Sequence, residues 1–175
     1  ILKLKSGVEM AGADLLRIVG EARQVKRILA AFPTQYPRNI LEQATIAGAL
    51  IAGQLDSNAQ GVADAVATRL DLIAPEYEKG WQGRPTQDHG LRMSRMLRGV
   101  EEQRVLDGPV LRAGEAQRLA RFTGALQEIY GGAATLVRRD RSVAVHGPMD
   151  LLQAILSEGE KGLSLQRYKG LGEMN

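Results

Sequence analysis

The sequence has no cysteine and few aromatic residues. With no cysteine among 175 residues, disulfides and thiolate metal sites are excluded, as is typical of proteins in reducing compartments. Aromatic residues make up only 4% of the chain, so the core must be built from Leu, Ile, Val, Ala and Met. No apolar run approaches the roughly 18 residues needed to cross a bilayer. We expect a cytoplasmic chain of one domain, or one domain and a fragment, with no membrane contact.

Residues that would form an independent catalytic or metal site are also missing. The two histidines, His89 and His146, have no partner at a spacing that suits a metal ligand set. The four tyrosines have no neighbours that would activate a nucleophile. No triad or nucleotide-binding loop stands out, so we predict no catalytic residue, no metal ligand and no cofactor within this chain.

The net charge is small, and the position of the cations is more informative than their number. The formal charge is +3, although the sequence pI is about 9.4, so long-range attraction to a polyanion is modest. Three arginines cluster at Arg138, Arg139 and Arg141. They indicate either an ordinary solvated turn, or a contact with phosphates or with an acidic protein surface.

Helical periodicity dominates the first part of the chain. Apolar residues spaced three and four apart, with arginines on the opposite face, predict a helix over 12–32. Similar patterns predict helices over 37–49, 59–74 and 113–130. Proline and glycine stand between these segments, which is where helices end. We interpret Gly108-Pro109 as a turn before the fourth helix.

Two regions have the alternation and the glycine punctuation of strands. Residues 79–107 predict two or three antiparallel strands, and 133–146 predict a hairpin around an Arg-Arg-Asp-Arg turn. Residues 2–10 alternate weakly and predict a short hairpin or an extended segment. The pattern changes after the 133–146 hairpin, because residues 148–175 predict a helix, a strand and a glycine loop. We therefore expect an α+β fold, with a mixed helical and antiparallel-sheet domain over 1–147 and an α/β fragment after it.

The chain closes with the sequence QRYKGLGEMN, which combines cations with glycines. Gly170 and Gly172 leave backbone N–H groups unshielded, so a ligand can approach closely. Arg167 and Lys169 place positive charge beside them, as a phosphate chain would require. The glycine and lysine spacing does not fit a Walker loop. A plain glycine turn with solvated charges is the alternative interpretation.

These ten residues resemble the closing signature of the Toprim domain in the B subunits of bacterial DNA gyrase. The preceding helix and strand, MDLLQAILSEGEKGLSLQRYKG, are similar to the same family. Upstream, GADLLRIVGEARQVKRILAAFPTQYPRNILEQA is similar to the start of the large insert carried by B subunits of the Gram-negative type. The resemblance implies that 1–147 form this insert and that 148–175 return into the Toprim domain.

The resemblance implies a type IIA topoisomerase that introduces negative supercoils by ATP-dependent double-strand passage. A protein of this family binds DNA and works with an A subunit in an A2B2 assembly, using Mg²⁺ held by a Glu and an Asp-x-Asp. This chain has no Asp-x-Asp. The metal-binding acids and the ATPase domain are expected to precede Ile1, so we expect the isolated chain to be inactive.

The resemblance also implies roles for the closing residues. It marks six of them as DNA-contacting or site-supporting: Arg167, Lys169, Gly170, Leu171, Gly172 and Glu173. For the insert itself two interpretations stay open. It either holds DNA and couples to the A subunit, with the arginine cluster at 138–141 as a contact, or it is a structural spacer without a ligand.

Overall fold

Helices and two antiparallel sheets make up residues 1–158, which are the residues that this computed structural model describes. The α+β fold class is confirmed. The elements in chain order are β1 (Leu2–Lys3), β2 (Glu9–Met10), α1 (Ala13–Ala30), α2 (Arg38–Ala47), α3 (Gln54–Ser57), α4 (Ala59–Ile73), a 3-10 turn (Glu76–Glu78), β3 (Gln82–Pro85), β4 (Leu91–Leu97), β5 (Val100–Leu106), α5 (Gly108–Arg112), α6 (Gly114–Ala120), α7 (Thr123–Tyr130), β6 (Ala134–Arg138), β7 (Arg141–Val145) and α8 (148–158).

Helices α1, α2 and α4 occur where the periodicity predicts them. Helix α1 buries one apolar face that includes Ile18, Val25 and Leu29, as the spacing of three and four requires. Helix α2 follows Pro37 and ends at Gly48, whose φ of 91° is the left-handed conformation that glycine adopts easily. Helix α2 is buried almost all round, and it packs against α4 and α7.

The predicted single helix over 113–130 is wrong, because the segment forms two helices, α6 and α7, that break at Arg121 and Phe122. The Thr123 hydroxyl donates to the Thr45 carbonyl at 3.1 Å, and the Gln127 amide donates to the Ile46 carbonyl at 2.9 Å. These bonds satisfy carbonyls at the C-terminal end of α2 and fix α7 in its own direction.

The predicted turn at Gly108-Pro109 is also wrong, because these residues begin helix α5. The Asp107 carboxylate accepts a hydrogen bond from the Val110 N–H at 2.9 Å, which caps the helix. Proline fits the first turn of a helix, since the N–H that it lacks would have no partner there. An Asp before Gly-Pro was therefore a helix-start signal.

The first sheet joins the two ends of the described chain, and its strand order is β2-β1-β6-β7. Strand β1 pairs antiparallel with β6, in a register that places Leu2 opposite Leu136 and Lys3 opposite Thr135. Leu2 and Leu136 are buried, whereas Lys3 is exposed. The sheet therefore has one face on the core and one open face. The hairpin predicted over 133–146 is confirmed.

The second sheet contains three strands in the order β3-β4-β5, as predicted for 79–107. Its inner side packs on α4, and this contact requires a glycine at position 83. A Cβ atom there would lie 2.4 Å from the Ala63 carbonyl oxygen, so only glycine lets the strand approach so closely.

Helix α8 packs into the same core, where Leu151 is fully buried. Across residues 1–158, no helix combines the length and the apolar character needed to cross a membrane.

Candidate nucleic-acid interface

The arginine cluster predicted from the sequence lies at the tip of the β6–β7 hairpin. Arg138 and Arg141 face each other as the last pair of the ladder, and Arg139 lies in the two-residue loop between them. All three are exposed. Arg139 has a φ of 55°, a left-handed conformation that is unfavourable for a residue with a Cβ atom.

The open face of the first sheet adds two lysines to this cluster. The cations that line a surface groove of about 530 Å³ are Lys3, Lys5, Arg139 and Arg141. We call these four residues the basic groove. Among residues 1–158, the other lining residues are one acid, Asp140, and five uncharged residues, namely Leu4, Ala133, Thr135, Val137 and Ser142. An extended polyanion that lies across the sheet here would meet four cations and one acid.

The position of Lys5 depends on a glycine after α7. A Cβ atom at Gly132 would lie 2.8 Å from the Lys5 Cβ and 2.7 Å from its Cδ. The first of these atoms is fixed to the backbone, so Lys5 could not simply rotate away. Gly132 thus allows the start of the lysine side chain to lie directly against the chain that leads into β6.

Two of the four cations already have acidic neighbours. Lys3 lies 3.6 Å from Glu9, and Arg141 lies 3.9 Å from Glu158. The Lys3 and Arg141 side chains stay about half exposed, at 51% and 55%, so these ion pairs are weak. Arg138 and Arg139 form no salt bridge within residues 1–158. Only one of the three arginines in the cluster is paired with an acid among residues 1–158. The salt bridges alone therefore do not decide between a solvated turn and a contact with an anionic partner.

The chemistry available in the basic groove is charge recognition. Lysine and arginine side chains bind phosphate oxygens, and such contacts position a nucleic acid without reading its sequence. Among residues 1–158, no group of three or more His, Asp or Glu side chains is placed to hold a metal ion.

A second polar cluster is buried, and sequence reasoning missed it. The Arg69 guanidinium of α4 donates to the Gln43 side chain at 2.8 Å and to the carbonyls of Tyr130 and His146 at 3.1 and 2.9 Å. Arg69 is only 8% exposed. Burial lowers the pKa of this guanidinium, and the nearby Glu42 carboxylate opposes that shift. The bonds connect α4 to the ends of α7 and β7.

Glu42 extends this buried cluster to the start of α8. Its carboxylate accepts the Met149 N–H at 2.8 Å and the Gln43 amide at 2.9 Å. Burial raises the pKa of Glu42 to about 7, and the bond from Met149 opposes this rise. A Cβ atom at Gly147 would lie 2.6 Å from the carboxylate. We call Glu42, Gln43 and Arg69 the buried polar cluster, which fixes where the chain leaves the first sheet.

The signal for the buried polar cluster was the composition of α2. Glu42 and Gln43 follow Ile40-Leu41 and precede Ala44, and the structure buries this whole stretch of α2. Their partners are 26 to 107 residues away along the chain, which no local pattern reveals. Lys3 and Lys5 were missed for the same reason, since β1 reaches the hairpin only through long-range pairing.

Six predicted site residues lie outside the described residues. They are Arg167, Lys169, Gly170, Leu171, Gly172 and Glu173, and their roles remain predictions.

Comparison with known proteins gives a consistent result. The family model for the DNA gyrase B subunit insert domain matches residues 4–159. The DNA gyrase B protein of Caulobacter vibrioides is 44% identical over 174 residues, which are 99% of this chain and 21% of that protein. The protein of the same name from Rickettsia bellii is 22% identical over 174 residues, covering 99% of this chain and 22% of the relative. That from Rickettsia conorii is 31% identical over 81 residues, covering 46% of this chain and 10% of the relative. The chain therefore spans about a fifth of the length of the curated relatives that it matches across its whole length.

Proposed function

The chain belongs to the DNA gyrase B subunit insert domain family, and from this we propose that it holds the phosphodiester backbone of duplex DNA and couples the B subunit to the A subunit. The phosphate contacts are assigned to the basic groove formed by Lys3, Lys5, Arg139 and Arg141. In this role the chain supports strand passage and takes no part in the chemical steps.

The proposal for the whole protein is ATP-dependent negative supercoiling as a type IIA topoisomerase in the cytoplasm. It would act in an A2B2 assembly, with Mg²⁺ and ATP held by parts of the B subunit other than this chain. Residues 148–175 would lead back into the Toprim domain, and the closing loop with Arg167 and Lys169 would contact DNA or support the cleavage site. The isolated chain should neither cleave DNA with Mg²⁺ nor hydrolyse ATP.

The observation that carries the DNA-holding role is the state of Arg139. This residue is exposed, forms no salt bridge within residues 1–158, and has a positive φ of 55°. A glycine or asparagine would adopt this backbone conformation at a lower cost in free energy. The two-residue hairpin loop accounts for the positive φ itself, since Arg98 at the tip of the β4–β5 hairpin has a φ of 54°. An external anion explains why a long cation occupies the tip of the hairpin.

Salt dependence of binding tests this role directly. If four cations neutralise phosphates, log K should fall with log salt concentration with a slope of about −3 to −4. Between 50 and 200 mM salt the affinity would then fall on the order of 10²-fold. The measurement is fluorescence anisotropy of a labelled duplex of about 25 base pairs, which offers more phosphates than a groove of this size can contact at about 3.4 Å per base pair.

A matched pair of variants makes the test specific to the groove. Lys5→Gln combined with Arg139→Gln should reduce the magnitude of the slope by about 2. Arg118→Gln combined with Arg121→Gln removes the same charge from exposed residues of the α6 region, and it should leave the slope nearly unchanged. Equal slopes for the two double variants would show that binding is not located in the basic groove.

A structural spacer is the second candidate, and the buried polar cluster favours it. Three hydrogen bonds from Arg69 hold α2 and the ends of α7 and β7 on α4. The Met149 N–H donates to Glu42 and fixes the start of α8 on α2. A spacer needs such a rigid exit and needs no exposed cations. If the chain shows no measurable DNA binding at low salt, the spacer role replaces the DNA-holding role.

A further inference from the structure

The outer face of α1 has a pattern that neither the fold nor the basic groove explains. Four residues repeat at i, i+4, i+7 and i+11 and therefore form one stripe along the helix: Leu16, Gly20, Arg23 and Arg27. They lie opposite the buried side that contains Ile18, Ala22 and Leu29. Leu16, Arg23 and Arg27 are exposed. We call this stripe the α1 stripe.

Gly20 is the first indication that something packs there. It lies in the interior of an 18-residue helix, where glycine is less stable than alanine. A Cβ atom at this position would have no atom within 4 Å, so the described fold does not require the glycine. A missing Cβ lets a second backbone come closer to the helix, which matters only if another molecule lies there.

The residues around Gly20 indicate what that molecule is. They line a shallow groove in which, among residues 1–158, Arg17, Arg23 and Arg27 supply three cations and Glu21 supplies one acid. Arg23 and Arg27 form no salt bridge within the part of the chain that the structure describes. Positive charge of this kind is complementary to an acidic surface.

Leu16 distinguishes an acidic protein from DNA. Its side chain is 74% exposed, and an apolar side chain gains little from a phosphate backbone. An amphipathic helix would bury Leu16, place its own small or apolar residues against Gly20 and direct acids to the arginines. A second copy of α1 does not fit, because it would bring the same cations face to face.

We propose that the α1 stripe docks an acidic, amphipathic helix of a partner subunit. The inference takes from the proposed function only that the chain works inside a gyrase complex; it does not depend on DNA binding by the basic groove. Helices pack at axial separations of about 8–10 Å depending on the residues in contact, and Gly20 provides the closest approach.

Photo-crosslinking in the assembled complex tests the proposal. A photoreactive amino acid is placed at Gln24, which lines the groove beside Gly20, in the full-length B subunit together with the A subunit and DNA. The same group at Gln103, an exposed residue of β5, is the control. We expect position 24 to crosslink to a helix of the partner subunit whose exposed face is rich in Asp and Glu.

Two substitutions at position 20 separate docking from folding. Gly20→Ala should raise the Tm of the isolated chain by about 2–4 °C, because the helix gains propensity and the added Cβ meets nothing. Gly20→Leu should still fold, and it should reduce the crosslink at least fivefold by filling the point of closest approach. DNA binding by the isolated chain should be unchanged in both variants.

The remaining outcomes overturn the docking proposal. These are a crosslink only to DNA, a crosslink only to a second copy of this chain, no crosslink, and a crosslink that Gly20→Leu leaves undiminished. The Lys5→Gln and Arg139→Gln double variant should lose DNA affinity and keep the crosslink. A crosslink to an acidic helix without DNA binding by the chain would refute the basic groove alone.

Discussion

Charged residues in this chain occur in two contrasting settings, the buried polar cluster and the basic groove. Arg69 is 8% exposed, and its guanidinium donates three hydrogen bonds to fixed protein groups. Arg139 is exposed, with no salt bridge in residues 1–158 and with a strained backbone. Arg69 therefore stabilises the fold, whereas Arg139 is available to a ligand. Stability and binding should therefore respond in opposite ways at the two places.

The largest effect is expected where several buried hydrogen-bond acceptors lose the donor that they share. Arg69→Ala removes three hydrogen bonds and leaves the buried Gln43 side chain and the carbonyls of Tyr130 and His146 without these donors. Each buried acceptor left without its donor costs about 1–3 kcal/mol, so we expect a total loss of about 3–5 kcal/mol. Urea unfolding of the chain measures this change in free energy. Arg118→Ala, at an exposed residue of α6, is the control and should change stability by less than about 0.5 kcal/mol.

If Arg69→Ala lowers the free energy of unfolding by less than about 1 kcal/mol, Arg69 contributes no more than a surface residue does. The contrast between the buried polar cluster and the basic groove would then disappear.

The next effect is the pH dependence caused by Glu42. Its pKa rises on folding from an ordinary 4.5 to about 7, so the folded state binds a proton more tightly than the unfolded state does. The stabilisation from that proton is complete below pH 4.5 and disappears as the pH rises through 7. The free energy of unfolding should therefore fall by up to about 3 kcal/mol between pH 5 and pH 8.

Glu42→Gln tests this assignment, because glutamine does not titrate. Urea titrations at several pH values should give a flatter profile for the variant than for the original chain. If both profiles have the same slope, Glu42 is ionised in the folded state throughout this range.

A smaller effect is expected from a buried group without charge. Thr123 is 2% exposed, and its hydroxyl donates to the Thr45 carbonyl. Thr123→Val keeps the shape but removes the donor, which should cost about 1–2 kcal/mol. Thr68→Val is a matched control, because the Thr68 hydroxyl donates to the Asp64 carbonyl on an exposed helix face. Thermal unfolding should show a clearly larger loss of Tm at position 123, and equal losses would show that burial of the bond is irrelevant.

Local pattern predicted the elements of this fold better than it predicted their contacts. The apolar spacing of α1 and the alternation of β4 are properties of neighbouring residues, so both could be predicted. The split between α6 and α7 depends on Thr123 and Gln127 reaching α2, which lies about 80 residues earlier. Periodicity carries no information about such a bond.

The candidate site shows the same limit. The cluster at Arg138, Arg139 and Arg141 could be predicted, because a hairpin tip is a local feature. Lys3 joins it only because β1 pairs with β6 across more than 130 residues. In the sequence, Arg69 has the position of an ordinary solvated cation on an amphipathic helix. It is buried because α2, the end of α7 and the end of β7 meet around it.

The smallest effect is also the one that separates stability from binding at a single residue. Arg139→Gly should stabilise the chain by about 0.5–1 kcal/mol, because glycine adopts a φ of 55° without the steric cost of a Cβ atom. The same change removes a cation from the basic groove, so it should weaken DNA binding and reduce the magnitude of the salt slope by about 1.

Arg138→Gly is the comparison, since Arg138 has an ordinary strand conformation and gains no stability from glycine. Urea unfolding and DNA anisotropy on the two variants decide the matter. If Arg139→Gly is more stable and binds DNA as tightly as the original chain, Arg139 contacts no phosphate. The open face of the first sheet is then an ordinary solvated surface.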